Sequence, residues 1–297
     1  MTVEHLHSTG TGPGPAAVLA ATAALSAAVG YLLAAARLRR RGDVWPRRRD
    51  ACFVAGGVAL AAALVTPPGG PFTAHMVRHL VVGMVAPLLL VLARPLTLVL
   101  RVPLPRPARR ALLRVAHSRP AGWLVCPPLA ALLDVGGLWL LYRTPLWAAV
   151  HERPLLDAAV HVHVFAAGLL FSFAVCRLDP VRRRWGLFSR GTALLGAGAA
   201  HAVLAKSFWA APPLGTDVAT ADLRTGALLM YYGGDLVEIA LAVVLAVQWY
   251  AAGGRALARD RRPRPSSPVR RSARVTGGYA QGTTREGVAQ RPAEAGR

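Results

Sequence analysis

The stretch His75-Met76-Val77-Arg78-His79-Leu80-Val81-Val82-Gly83-Met84 decides how the chain is read. It opens an apolar run from Leu80 to Leu100, yet sets two imidazoles and a thioether at the start of that run. On a helix His75 and His79 stand one turn apart on the same face. Met76 follows His75 directly, and Met84 comes five residues after His79. Imidazole and thioether together suit copper. Histidines at a membrane interface also snorkel among headgroups without binding anything, so the weight of this stretch depends on where the other polar residues fall.

Of the 297 residues, 54% are hydrophobic and only 16% charged, whereas a soluble chain carries about a quarter charged residues. Mean hydropathy is +0.39. The apolar residues come in blocks of about 20, the length that crosses a bilayer. The net charge of +21 would suit a nucleic-acid partner if it were gathered on one face. The arginines instead occupy the short connections between apolar blocks, which is the pattern of topology signals. The expected partner is therefore the lipid bilayer, that of a bacterial plasma membrane, and no nucleic acid. Lys206 is the only lysine among 35 basic residues, and it lies inside an apolar block. Cys52, Cys126 and Cys176 are far apart, without metal-site spacing, and read as small packing residues.

The fold class expected is all-α, a polytopic membrane bundle of about seven transmembrane helices. Spans are placed at about 15–36, 51–65, 75–100, 122–142, 155–175, 192–211 and 226–250. The third contains Pro87 and Pro95, which should kink it. Basic clusters follow the first, third, fifth and seventh spans. All of them fall on one side, which puts the N-terminus outside and the C-terminus in the cytoplasm. Residues 143–154 form an outer loop with room for a short interfacial helix, and another outer loop carries Asp217 and Asp222. Residues 1–14 read as a flexible extracytoplasmic N-terminus, 15–252 as the transmembrane domain, and 253–297 as a disordered basic cytoplasmic tail.

With that topology, the polar residues inside the spans share one depth. His75 and His79 lie at the outer end of the third span. His161 and His163 lie in the outer third of the fifth, with Asp157 one turn before His161. His201 is near the middle of the sixth, Lys206 is nearer the outside, and Asp134 is toward the outer end of the fourth. Asp235 and Glu238 share a face of the seventh. Ionisable groups at such depth cost several kcal/mol unless paired or solvated, and so face the bundle interior. Plainer readings exist for each group. Lys206 could form a structural ion pair with Asp235 or Glu238, and His201 could tie two helices together. His161 and His163 point about 200° apart on a straight helix, so at most one meets the ligand of His75 and His79. Tyr142, Trp147 and the other aromatics near the outer interface read as anchors. No hydrolytic or phosphate-binding constellation is present, so no enzyme is expected.

The block Phe72 to Leu80, with Met84-Val85-Ala86-Pro87-Leu88 and Arg94-Pro95-Leu96-Thr97, resembles the opening of CtaG-type cytochrome c oxidase assembly factors, the multi-span kind associated with caa-type oxidases. Further matching blocks are His161 to Phe165, Gly168 to Phe171, Asp179-Pro180, His201 with Leu204-Ala205-Lys206, and Met230 to Glu238. They cover about 70–252 in order. Many members carry a second histidine one turn before the one matched by His161, where this chain has Asp157. The resemblance implies a role in maturing the heme–copper oxidase, with oxidase subunits as partners and copper delivery as the function.

The leading expectation is a Cu(I)-binding assembly factor with an outer-leaflet site. His75, Met76 and His79 would ligate the metal, with His161 or His163 and His201 next. Asp157, Lys206, Asp235 and Glu238 would supply geometry and charge. The alternatives are a copper or other metal transporter, which would need more polar residues in the inner half, a heme carrier with axial histidines on facing helices, and a metal-free scaffold for oxidase subunits.

Overall fold

The computed structural model describes residues 14–65, 69–103, 105–179, 185–214, 216 and 218–260, and all its regular structure is helical. The chain divides into a unit of residues 1–254 and a second of residues 255–297, of which only the end of the last helix is described. The elements are α1 (Pro15–Arg40), α2 (Arg47–Val65), α3 (Pro71–Leu80), a π turn (Val81–Val85), α4 (Ala86–Leu92), α5 (Pro95–Arg101), α6 (Arg106–Ala116), α7 (Arg119–Leu124), α8 (Pro127–Arg143), α9 (Leu146–Glu152), α10 (Pro154–Cys176), α11 (Leu187–Ser207) and α12 (Thr220–Asp260). Proline opens α1, α3, α5, α8 and α10, where its missing N–H would have had no helical acceptor anyway.

Four stretches are long and apolar enough to cross a membrane: Pro15–Arg40, Pro71–Arg101, Pro154–Cys176 and Thr220–Arg255. This is fewer than the seven expected from sequence, and each shortfall has a physical cause. Helix α2 starts with Arg47, Arg48, Arg49 and Asp50, which shorten its apolar length. Helix α8 has 17 residues, about 25 Å at a rise of about 1.5 Å, against about 30 Å of hydrocarbon. Helix α11 is diluted by glycines, Arg190 and His201. The short helix expected within 143–154 is α9. Helix α12 begins at Thr220, before the expected start near 226, and continues to Asp260, past the expected tail boundary. Most of the expected flexible N-terminus and basic tail, and Asp217, lie outside the described residues.

The two prolines of the third span act differently. A straight helix would present the Gly83 carbonyl, four residues back, to Pro87, which has no N–H to give and whose ring clashes there. The helix widens into the π turn Val81–Val85 at this point, a feature often found at functional sites. The Gly83 carbonyl then lies against α10, where a Cβ on Gly168 would overlap it. At Pro95 the helix breaks. Arg94 is left-handed, φ 55°, outside the right-handed helical region that a following proline disfavours. Helix α5 restarts under a cap from far along the chain: the Asp179 carboxylate accepts from the Thr97 backbone N–H at 2.9 Å and from the Thr97 hydroxyl.

Three buried clusters result. One packs Tyr31, Leu38, Trp45 and Leu98 where α1, α2 and α5 meet, with the Tyr31 hydroxyl donating to the Ala93 carbonyl at 2.8 Å. A second joins Leu88, Val91, Phe171, Leu194, Val237 and Leu241. The third, of Phe72, Met76, Tyr142, Trp147, Leu204, Phe208 and Met230, borders the candidate site. Outward-facing apolar side chains such as Leu33, Leu155, Leu195, Leu236 and Val247 are left exposed, more than a water-soluble surface carries.

Two alanine substitutions should have opposite signs. Gly168→Ala should destabilise by about 1–3 kcal/mol, the usual cost of overpacking. Gly196→Ala in α11, with nothing within 4 Å, should stabilise by up to about 1 kcal/mol through helix propensity. Thermal denaturation of the detergent-purified variants reads both.

Candidate functional site

Helix α3 is pinned before any of its histidines is placed. The Asp222 carboxylate, from the first turn of α12, accepts from the backbone N–H groups of Phe72 (2.9 Å) and Thr73 (3.0 Å) and from the Thr73 hydroxyl (2.5 Å). It therefore caps α3 across 150 residues of chain, satisfying N–H groups that a helix start leaves unpaired and placing a negative charge at its positive end. Gly70 is needed here, since a Cβ would come within 2.6 Å of the carboxylate. Sequence alone places Asp222 in an outer loop, whereas it lies in the first turn of α12, and nothing local to either segment signals the pairing.

Fixing α3 sends its three candidate ligands different ways. His75 turns toward α8 and α9, with Nε2 2.8 Å from the Tyr142 hydroxyl and its ring 4.4 Å, edge-to-face, from Trp147. Met76 is fully buried in the apolar cluster with Phe72, Phe208 and Met230. His79 is also buried, its ring centroid 6.1 Å from that of His201 on α11. Tyr142 and Trp147, read from sequence as interface anchors, are instead buried, because α9 folds back over the end of α8 and packs them against α3.

His75, His79 and His161 line one partly open cleft, together with Asp157, Arg78, Tyr142, Trp147 and several apolar residues. It has room for a water molecule or a single ion. The Arg78 Nε donates to the Ala63 carbonyl of α2 at 3.3 Å. His161 Nδ1 lies 2.9 Å from the Asp157 carbonyl oxygen and 3.2 Å from its carboxylate. A carbonyl can only accept, so Nδ1 carries a proton and Nε2 is turned away from Asp157. His163 leaves this group, as its spacing from His161 requires. It is exposed, and its Nε2 meets the Leu133 carbonyl of α8 at 3.2 Å.

Behind the cleft, His201 and Glu238 extend the polar chain. His201 Nδ1 is 3.6 Å from Glu238 Oε1, within ion-pair distance but longer than a hydrogen bond. Both groups sit in glycine seats. A Cβ at Gly234 would strike the His201 ring, and one at Gly198 would strike the Glu238 carboxylate. The Nε2 atoms of His79 and His201 are buried and have no hydrogen-bond partner, which is costly unless something fills the need. Lys206 lies over the Tyr231 ring, 4.9 Å away, and forms no ion pair with Asp235 or Glu238 among the described residues. Asp235 stays half-buried near the same face. No group of three or more His, Cys, Asp or Glu among the described residues could hold a metal. The structure thus brings together His75, His79, His161, Asp157, His201 and Glu238 as two adjoining sets sharing His79, and leaves Met76 and His163 apart.

The sequence model of the family described as cytochrome c oxidase caa3 assembly factor matches residues 29–252, from α1 to the greater part of α12. The chain belongs to this family. Among curated relatives, an uncharacterized protein of Mycobacterium leprae is 27% identical over 79% of this chain. Uncharacterized proteins of Mycobacterium bovis and Mycobacterium tuberculosis are each 30% identical over 53% of it. The chain spans 39% of the length of the first relative and 25% of the other two. No solved structure matches. Among the described residues this member of the oxidase assembly-factor family has only helices as regular structure, several of them of membrane length.

Replacing Asp222 by alanine removes the cap on α3. Stability should fall by about 1–2 kcal/mol, as for other lost caps, and hydrogen exchange should quicken in peptides covering 71–80 while those of α1 and α2 stay unchanged.

Proposed function

We propose that the chain assists assembly of cytochrome c oxidase from within the bacterial plasma membrane, holding Cu(I) between His79 and His201 and passing it to oxidase subunits. The observation that carries this reading is the pair of buried imidazoles with unpartnered Nε2 atoms. A metal–nitrogen bond is about 2.0 Å, so a centroid separation of 6.1 Å is of the size that two rings bridged by one ion would have. Imidazole is a copper ligand, and Cu(I) tolerates two-coordinate sites, so a third ligand is not required. Glu238, 3.6 Å from His201 Nδ1, would close to a hydrogen bond with that nitrogen and leave Nε2 for the metal. His75 and His161 in the cleft would form the approach, and the cleft is too small for a porphyrin, which argues against a heme carrier. Met76 and His163 take no part in this version of the site, and nothing in it calls for catalysis.

The wider topology belongs to the same proposal. Helices α2, α8 and α11 would add three spans to the four of membrane length. Supporting this, each leaves apolar side chains exposed: Val58 on α2, Leu132 and Leu140 on α8, and Leu195 and Val203 on α11. The basic connections would lie in the cytoplasm, with the N-terminus and the cleft outside.

Anaerobic Cu(I) titration of detergent-purified protein tests the site. Wild type should bind one copper per chain, and His79→Ala or His201→Ala should abolish binding while His163→Ala leaves it intact. Glu238→Gln should weaken binding roughly 10–100-fold, as loss of an orienting carboxylate does. Affinity should fall as pH falls, because protons compete for the same ring nitrogens. A folded wild type that binds no copper would overturn the copper site and leave a metal-free scaffold.

A further inference from the structure

Helix α6, Arg106–Ala116, has no part in the bundle core. None of its side chains is buried, and it packs on the short α7. At about 100° per residue, Arg106, Arg109, Arg110 and Arg114 gather on one side. Pro107, Ala108, Ala111, Leu112 and Val115 gather on the other, while Leu113 falls among the arginines. The apolar side is mostly uncovered, with Leu112 half-buried and Val115 67% exposed. After a turn at His117 and Ser118 the chain enters α7, where Trp123 is 60% exposed. From Arg94 to Leu133 the sequence contains no Asp or Glu.

The position of α6 along the chain says what covers this face. The membrane-length stretch Pro71–Arg101 ends four residues before α6 begins. Four residues reach at most about 14 Å when fully extended, so α6 must stay at the surface of the leaflet where that stretch ends. A short helix with a basic face and an apolar face, held at that depth, has the composition of a helix lying in the interface plane.

We propose that α6 is a membrane-surface helix that docks on anionic phospholipid headgroups. Its apolar side sinks among the upper acyl chains and its arginines reach the phosphates. A guanidinium suits this task because its fork of donors matches phosphate oxygens. The exposed Trp123 beside it is an interfacial anchor. The inference rests on the chain being embedded in a membrane, and not on the copper site.

The test is hydrogen exchange of the whole protein in lipid nanodiscs, made either of phosphatidylcholine alone or with phosphatidylglycerol added. Peptides covering 105–118 should exchange several-fold more slowly in the anionic discs, and high salt should reduce the difference. The R106Q/R109Q/R110Q/R114Q variant should lose that difference, and Val115→Asp should lose the protection itself, while peptides of α10 and α11 report that both variants are folded. Equal exchange in the two lipid mixtures overturns the proposal. So does a lipid dependence that survives in the four-glutamine variant, or protection of α6 that arises only when an acidic protein is added.

Discussion

At Gly168 the backbone of α10 comes so near the Gly83 carbonyl that no side chain fits between them. The reason lies four residues further on, in Pro87, which can neither bond that carbonyl nor tolerate it in a straight helix. The π turn moves it aside, and the absence of a side chain at Gly168 lets α10 receive it. This contact sets how closely α10 lies against the stretch carrying His79, and so whether His161 and Val164 can line the same cleft as His75 and His79. Proteins are close-packed enough that one methyl group here would be felt as a displacement of the whole helix.

The same device recurs around the buried polar chain. Gly234 makes space for the His201 ring and Gly198 for the Glu238 carboxylate. Small residues are how helices approach closely in a membrane, where no hydrophobic force draws them together. Close approach also removes water, leaving Nε2 of both His79 and His201 without a partner. A buried polar atom without a partner is destabilising, and this bundle carries one on each of two neighbouring rings.

Carboxylates elsewhere do a different job. Asp222 and Asp179 both cap short helices from far along the chain, α3 and α5 respectively. Each holds the start of a segment that proline has cut free from what precedes it. The proline breaks and the distant caps therefore work together: the break permits a change of direction, and the cap fixes the direction taken.

Much of this was legible in the chain itself. Long apolar blocks with arginine between them dictate a helical membrane protein, because only satisfied backbones can cross lipid. The spacing of His75 and His79, and of His161 and His163, determines which histidines can share a face. His163 accordingly turned away from the cleft. Local sequence could not show that Met76, adjacent to His75, faces the apolar core, that Tyr142 and Trp147 are walls of the cleft, or that His79 meets His201. Nor could it show that Glu238 pairs with His201 while Lys206 rests on Tyr231. Those choices depend on how far each helix is rotated and how closely its neighbours approach. The glycine seats and the Asp222 cap decide both, through contacts between residues up to 150 positions apart, and no period along the sequence encodes them.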